Sequence, residues 1–165
     1  MKILQNNLSL FFITLMLPAI IAVLSAGCAM MPQDPPPFVV TKPICRINEQ
    51  SYEFTYAALS FGILNNGQEA IKQITVSFSL FDSKTQDNPF IGSNVFEIVK
   101  QETVQPGENK EILISLDKYI YTAPAEPYLI DFFYISKITY TNGSVSQDKY
   151  GTYSTRTLIN SRTFK

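Results

Sequence analysis

The chain has 165 residues, 45% of them hydrophobic and 16% charged, with a formal net charge of −1 and neither histidine nor tryptophan. Lack of histidine removes Ser-His-Asp and Cys-His catalysis and every histidine-based zinc site. With no basic patch or charge run, the composition argues against nucleic acid as a partner.

The first element, residues 1–27, has the order of a secretory signal: a single Lys2, an uncharged apolar core from Leu8 to Leu24, then small residues. The core is about 17 residues, near the lower limit for a membrane-spanning helix. Leu24-Ser25-Ala26-Gly27-Cys28 closes it. A thiol at the first mature position is what a diacylglyceryl transfer needs, and the small Ala26 and Gly27 admit the backbone to a peptidase. The run resembles a bacterial lipobox, with Ser25 where that pattern usually carries Leu. The resemblance implies cleavage between Gly27 and Cys28 and lipidation of Cys28, and so a membrane contact through two or more acyl chains, enough for stable anchoring. Ala29, and no Asp, follows Cys28, which resembles an outer-membrane address. An uncleaved signal anchor and ordinary cleavage elsewhere are the alternatives.

After position 27 come 138 residues holding all 14 acidic and 12 of the 13 basic side chains, a net charge of −2. That is enough for one domain. Residues 28–43, with Pro32, Pro35, Pro36 and Pro37, are expected to form an extended spacer. With Cys28 lipidated, Cys45 is the remaining thiol and no internal disulfide forms. Its setting between Ile44 and Ile47 reads as a small buried hydrophobe, the alternative being a reactive or bridging thiol.

Residues 44–153 read as strands separated by turns. Tyr52, Phe54 and Tyr56 alternate with Glu53 and Thr55, and the strand is expected to run on through Leu64 to a turn at Asn65-Asn66-Gly67 that favours positive φ. Ile71–Asp82 is the clearest strand, with Ile74, Val76, Phe78 and Leu80 on one face and Thr75, Ser77 and Ser79 on the other. Phe90–Val104 carries one or two strands, with Phe96 and Ile98 opposite Val95 and Val99. A Gln105–Glu108 turn leads to a strand through Ile112, Ile114 and Leu116, and Tyr128–Ile135 looks like a central strand. Asn142-Gly143 predicts a hairpin through a two-residue type I′ turn with positive φ at both residues. Residues 154–165 form a polar tail. No stretch keeps helical spacing, so the expected fold is all-β: an antiparallel immunoglobulin-like sandwich of about seven strands after the signal helix.

Phe78-Ser79-Leu80-Phe81-Asp82, followed by Val104-Gln105-Pro106-Gly107-Glu108, resembles the FxLYD family of extracytoplasmic domains, with Phe81 where that family has Tyr. The likeness covers about residues 61 to 138. It implies an immunoglobulin-like sandwich of secreted and membrane-anchored bacterial proteins, and no catalytic residue; no cofactor or metal is expected.

Few residues invite chemistry. Asp82, Asp87 and Asn88 offer oxygen ligands for calcium, but without the glycine and closing glutamate of an EF-hand, and Asp82 reads better as a turn cap. Glu97, Glu102, Asp117 and Asp131 are the candidates for a glycosidase-like carboxylate pair, with Asp131 otherwise an outward strand residue. Tyrosines crowd the C-terminal third, and Tyr140, Tyr150 and Tyr153 around the last hairpin are a candidate partner surface. The reading that follows is a lipid-anchored, non-enzymatic cell-envelope protein whose sandwich binds a protein partner or organises an envelope complex. A carboxylate-dependent envelope hydrolase and a surface antigen or adhesin are the alternatives.

Overall fold

The computed structural model describes residues 36–49 and 51–156. Gly27, Cys28, the rest of the leader, most of the Pro-rich segment and residues 157–165 of the tail lie outside the described residues.

Eight strands and no helix form among the described residues: β1 Phe38–Val40, β2 Ile44–Ile47, β3 Ala57–Asn65, β4 Ile71–Phe81, β5 Val95–Val104, β6 Asn109–Ser115, β7 Leu129–Tyr140 and β8 Val145–Gln147. Every pairing is antiparallel. In the first sheet β1 and β2 follow one another along one edge of β3, and β6 lies on its other edge; the second sheet has the order β5-β4-β7-β8. The chain leaves β3 for the second sheet and comes back as β6 beside β3, a Greek-key return. The result is an antiparallel β-sandwich of seven strand positions, since β1 and β2 share one.

The first edge corrects the expected spacer. Val40 faces Ile63 and Ile44 faces Ser60, so Lys42 and Pro43 together oppose Phe61, while the Thr41 N–H donates to the Gly62 carbonyl at 2.9 Å. Pro43 has no N–H to give, and an edge strand is where that costs least. The prolines that suggested a linker up to residue 43 therefore stop mattering at Phe38, where the sandwich begins. At the other end Thr155 pairs with Phe133, so the domain also runs past 153.

β4 forms the floor of the core as its alternation predicts: Ile74, Val76, Phe78 and Leu80 are fully buried. Phe61 of the first sheet meets Phe133 of the second at 4.9 Å between ring centroids, and Phe78 lies 5.5 Å from Phe96. Each such ring removed from water contributes about 1.5–3 kcal/mol. Glycines mark where backbone geometry departs from the strand. The Asn142-Gly143 hairpin has a three-residue loop, not two: Gly143 N–H donates to the Tyr140 carbonyl at 3.0 Å and Tyr140 N–H to Ser144 at 3.0 Å, with Gly143 alone at positive φ (+86°). A type I turn followed by a left-handed glycine suits strand twist as well as type I′ does. The Asn142 carboxamide oxygen then accepts from Ser144 N–H at 2.9 Å, holding the corner.

Two further expectations change. No residue of Asn65-Asn66-Gly67 has positive φ; that turn is held by the Asn65 side chain instead. Tyr52–Tyr56 is not strand, and β3 starts at Ala57. The N–H groups of Thr55, Tyr56 and Ala57 go to the Asp117 carboxylate (2.6, 2.8 and 3.3 Å) rather than to a neighbouring strand.

The two ends of the sandwich differ. At one lie Pro36-Pro37 and the short turns 66–70, 105–108 and 141–144, knitted by hydrogen bonds from Asn66 N–H to Pro37, Gly107 N–H to Asn65 and Thr141 N–H to Ala70. At the other lie three longer segments, 48–56, 82–94 and 116–128.

Candidate functional site

The three hairpin tyrosines have different surroundings. Tyr140 packs on the core and burial pushes its phenol up, Tyr150 is exposed, and Tyr153 is part-buried. The segment carrying the last two is folded around Asp148, whose carboxylate accepts from the N–H groups of Tyr150, Thr152 and Tyr153 at 3.3, 3.0 and 3.1 Å. It docks on the outer face of β7. Gly151, at φ +65°, lies so close to the Phe132 and Tyr134 rings that an added Cβ would come within 2.8 Å of Phe132. Arg156 covers the Phe132 ring at 4.7 Å. Phe132 is itself at positive φ (+48°), at a bulge where β7 sets two residues against Phe78. Three aromatics in close succession gave no sign that one would turn outward to seat the C-terminal segment.

The candidate carboxylates are distributed over the fold. Asp131 faces Ser79 and Glu97 faces Ser77, on strands either side of β4 and on its outer face. Glu97 also accepts from Ser136 Oγ at 3.1 Å, and Glu102 pairs with Lys110 at 2.7 Å. Asp82 caps its own turn: N–H bonds from Thr85 and Lys84 (2.9 and 2.8 Å) hold its carboxyl below the usual range. No group of three metal-ligating side chains occurs among the described residues. Cys45 is buried, which pushes its thiol up, against a smaller opposing hydrogen bond from the Tyr128 backbone.

An organised surface is the end built from segments 48–56, 82–94 and 116–128. Phe90 and Tyr119 lie edge-on to Phe96 at 5.3 and 5.0 Å, and Phe90 meets Tyr128 at 5.6 Å, so two of the loops stand on core aromatics. The third is anchored by the buried Phe54. Asp117 ties 48–56 to 116–128 through the N–H groups of Thr55 and Tyr56, and Glu126 ties 116–128 to 82–94 through Lys84 at 2.8 Å and Ser83 Oγ at 3.1 Å. A cleft of about 210 Å³ between the last two is lined by Asp82, Lys84, Pro89, Pro124, Glu126 and Tyr128. Function concentrates on loops held this way by a rigid scaffold. Sequence reading missed the platform because its ties join residues some 40 to 60 positions apart; only the Asx-type cap at Asp82 was visible locally.

Asp117 gives a pH test. Burial pushes its carboxyl up, but the N–H bonds of Tyr56, Thr55 and Ala57 outweigh this and hold it below the usual range. A carboxyl lowered by folding stabilises above its unfolded value, about 4, and that contribution is lost as pH falls through the lower folded value. Asp117→Ala is expected to cost about 2–3 kcal/mol at pH 7, the scale of charge-assisted hydrogen bonds. The gap to the unsubstituted chain should narrow below pH 4. Urea midpoints at pH 7 and pH 3 read this, and a gap constant with pH would refute it.

Comparisons with protein families, with curated proteins and with solved structures find no match to this chain.

Proposed function

We propose that the chain is a lipid-anchored, non-enzymatic protein of the cell envelope whose β-sandwich binds another protein. The observation that carries the anchor is the order of the N-terminus: an uncharged apolar core, then Ala26-Gly27-Cys28, then a proline-rich stretch that ends where β1 starts. The absence of Asp after Cys28 favours the outer membrane. The likeness of Phe78–Asp82 and Val104–Glu108 to the FxLYD domains supports an extracytoplasmic sandwich of the same kind. The partner-binding part of the reading rests on loops that stand on core aromatics and are tied to one another by Asp117 and Glu126.

The test is Cys28→Ser. Without the sulfur no thioether to diacylglycerol can form, so the substituted chain is expected to take up no labelled palmitate and to accumulate as the full-length precursor. Normal labelling and processing of that variant would remove the anchor.

A further inference from the structure

We infer that the end of the sandwich formed by segments 48–56, 82–94 and 116–128 is the partner-binding surface, and that it takes a protein surface that is basic and offers apolar recesses. The surface deepens the function proposed above and rests on its protein-binding part, not on the Cys28 anchor.

Each of the three segments displays one large apolar side chain almost wholly in water: Tyr52 (111% exposed), Ile91 (109%) and Tyr121 (82%). None of the exposed large hydrophobic side chains falls in the turns 66–70, 105–108 or 141–144 at the opposite end. Each displayed residue also has a buried or partly buried aromatic neighbour close by in the chain. Phe54 lies two positions after Tyr52, Phe90 directly before Ile91, and Tyr119 two positions before Tyr121. Ordered loops that present Tyr and Ile this way have the composition of an interface centre, where aromatic anchors dominate the binding energy.

Charge selects the partner. The three segments contain six carboxylates (Glu49, Glu53, Asp82, Asp87, Asp117 and Glu126) against Lys84 and Lys118, a net charge of −4. The described residues outside them are net +1, so the acidity of the domain is concentrated at this end. Glu53 and Asp87 form no ion pair among the described residues. A net negative charge on the segments that display the apolar anchors repels an anionic membrane and steers a cationic protein surface toward them.

Site-specific photocrosslinking in the native envelope tests this with the full chain. The crosslinker replaces Tyr52, Ile91 or Tyr121 in one set, and Gln68 or Asn142 at the opposite end in the other. The expected result is a discrete protein adduct from the first set only, with the crosslinked peptide carrying a net positive charge. Glu53→Lys with Asp87→Lys should reduce the adduct about tenfold, as reversed charges do at a complementary interface, while Glu69→Lys leaves it unchanged. Tyr52→Ser with Tyr121→Ser, read from a crosslinker at Ile91, should do the same without lowering the melting temperature, since both side chains are exposed. Phospholipid adducts, an acidic crosslinked peptide, equal adducts from both ends, or no adduct would each overturn the assignment. Palmitate labelling is read separately, so loss of the anchor and loss of this surface are told apart.

Discussion

Phe78→Ala is expected to destabilise the domain by about 3–5 kcal/mol, and Leu80→Ala by about 2–5, as large-to-small changes at fully buried positions do. Phe78 is wholly buried, stacks on Phe96 at 5.5 Å and lies 6.5 Å from Phe133. Its ring thus stands between the second sheet's edge strand β5 and the contact that Phe133 makes with Phe61 of the first sheet. An alanine there leaves a cavity that neighbours on three strands would have to close together, and paired strands cannot move independently. Ser77→Ala and Ser79→Ala on the other face should cost little, since neither hydroxyl fills core volume. Urea midpoints of the four variants decide the matter. Costly serines and cheap Phe78 or Leu80 would mean that β4 faces the other way, because a shift of one residue exchanges its faces.

How legible the fold was depends on whether a strand's signal is local. β4 could be read because its apolar face alternates with Thr75, Ser77 and Ser79 without interruption. β7 showed as a central strand, yet its two bulges, at Phe132–Phe133 and at Ser136, break the alternation, so the outward turn of Phe132 was hidden. β1 was masked by prolines, since nothing within residues 38–40 reveals that β3 will offer an edge. Tyr52–Tyr56 was misread for the opposite reason: its pattern is strand-like, but the distant Asp117 takes the N–H groups a strand would have shared. The platform followed the same rule. The displayed Tyr52, Ile91 and Tyr121 have no periodic signature, and what brings them to one end is topology together with the Asp117 and Glu126 ties.

Asn65→Ala is the second substitution with a large expected cost, about 3–5 kcal/mol, from stranding several buried polar groups at once. Asn65 is fully buried at the end of β3. Its carboxamide nitrogen donates to the carbonyls of Glu69 (2.9 Å) and Val104 (3.0 Å), and its oxygen accepts from Gly67 N–H (3.0 Å). Its backbone meanwhile accepts from Gly107 N–H at 2.7 Å and donates to Glu108 at 3.0 Å. One residue therefore joins the β3–β4 turn to the β5–β6 turn, and only this orientation of the amide satisfies two carbonyls and one N–H together. Alanine removes all three side-chain bonds where water has little access. Asn65→Asp separates the hydrogen-bond role from mere bulk. At pH 7 it sets an ionised oxygen against two carbonyls and should be at least as damaging as alanine. A protonated carboxyl can donate to one of those carbonyls, so folding raises its pKa above the unfolded value. The variant's stability should therefore rise as pH falls toward 4, opposite in sign to the behaviour of Asp117. Urea midpoints between pH 7 and pH 4 read both effects. If Asn65→Asp matched the unsubstituted chain at neutral pH, or failed to recover on acidification, the two turns would be held by something other than this amide.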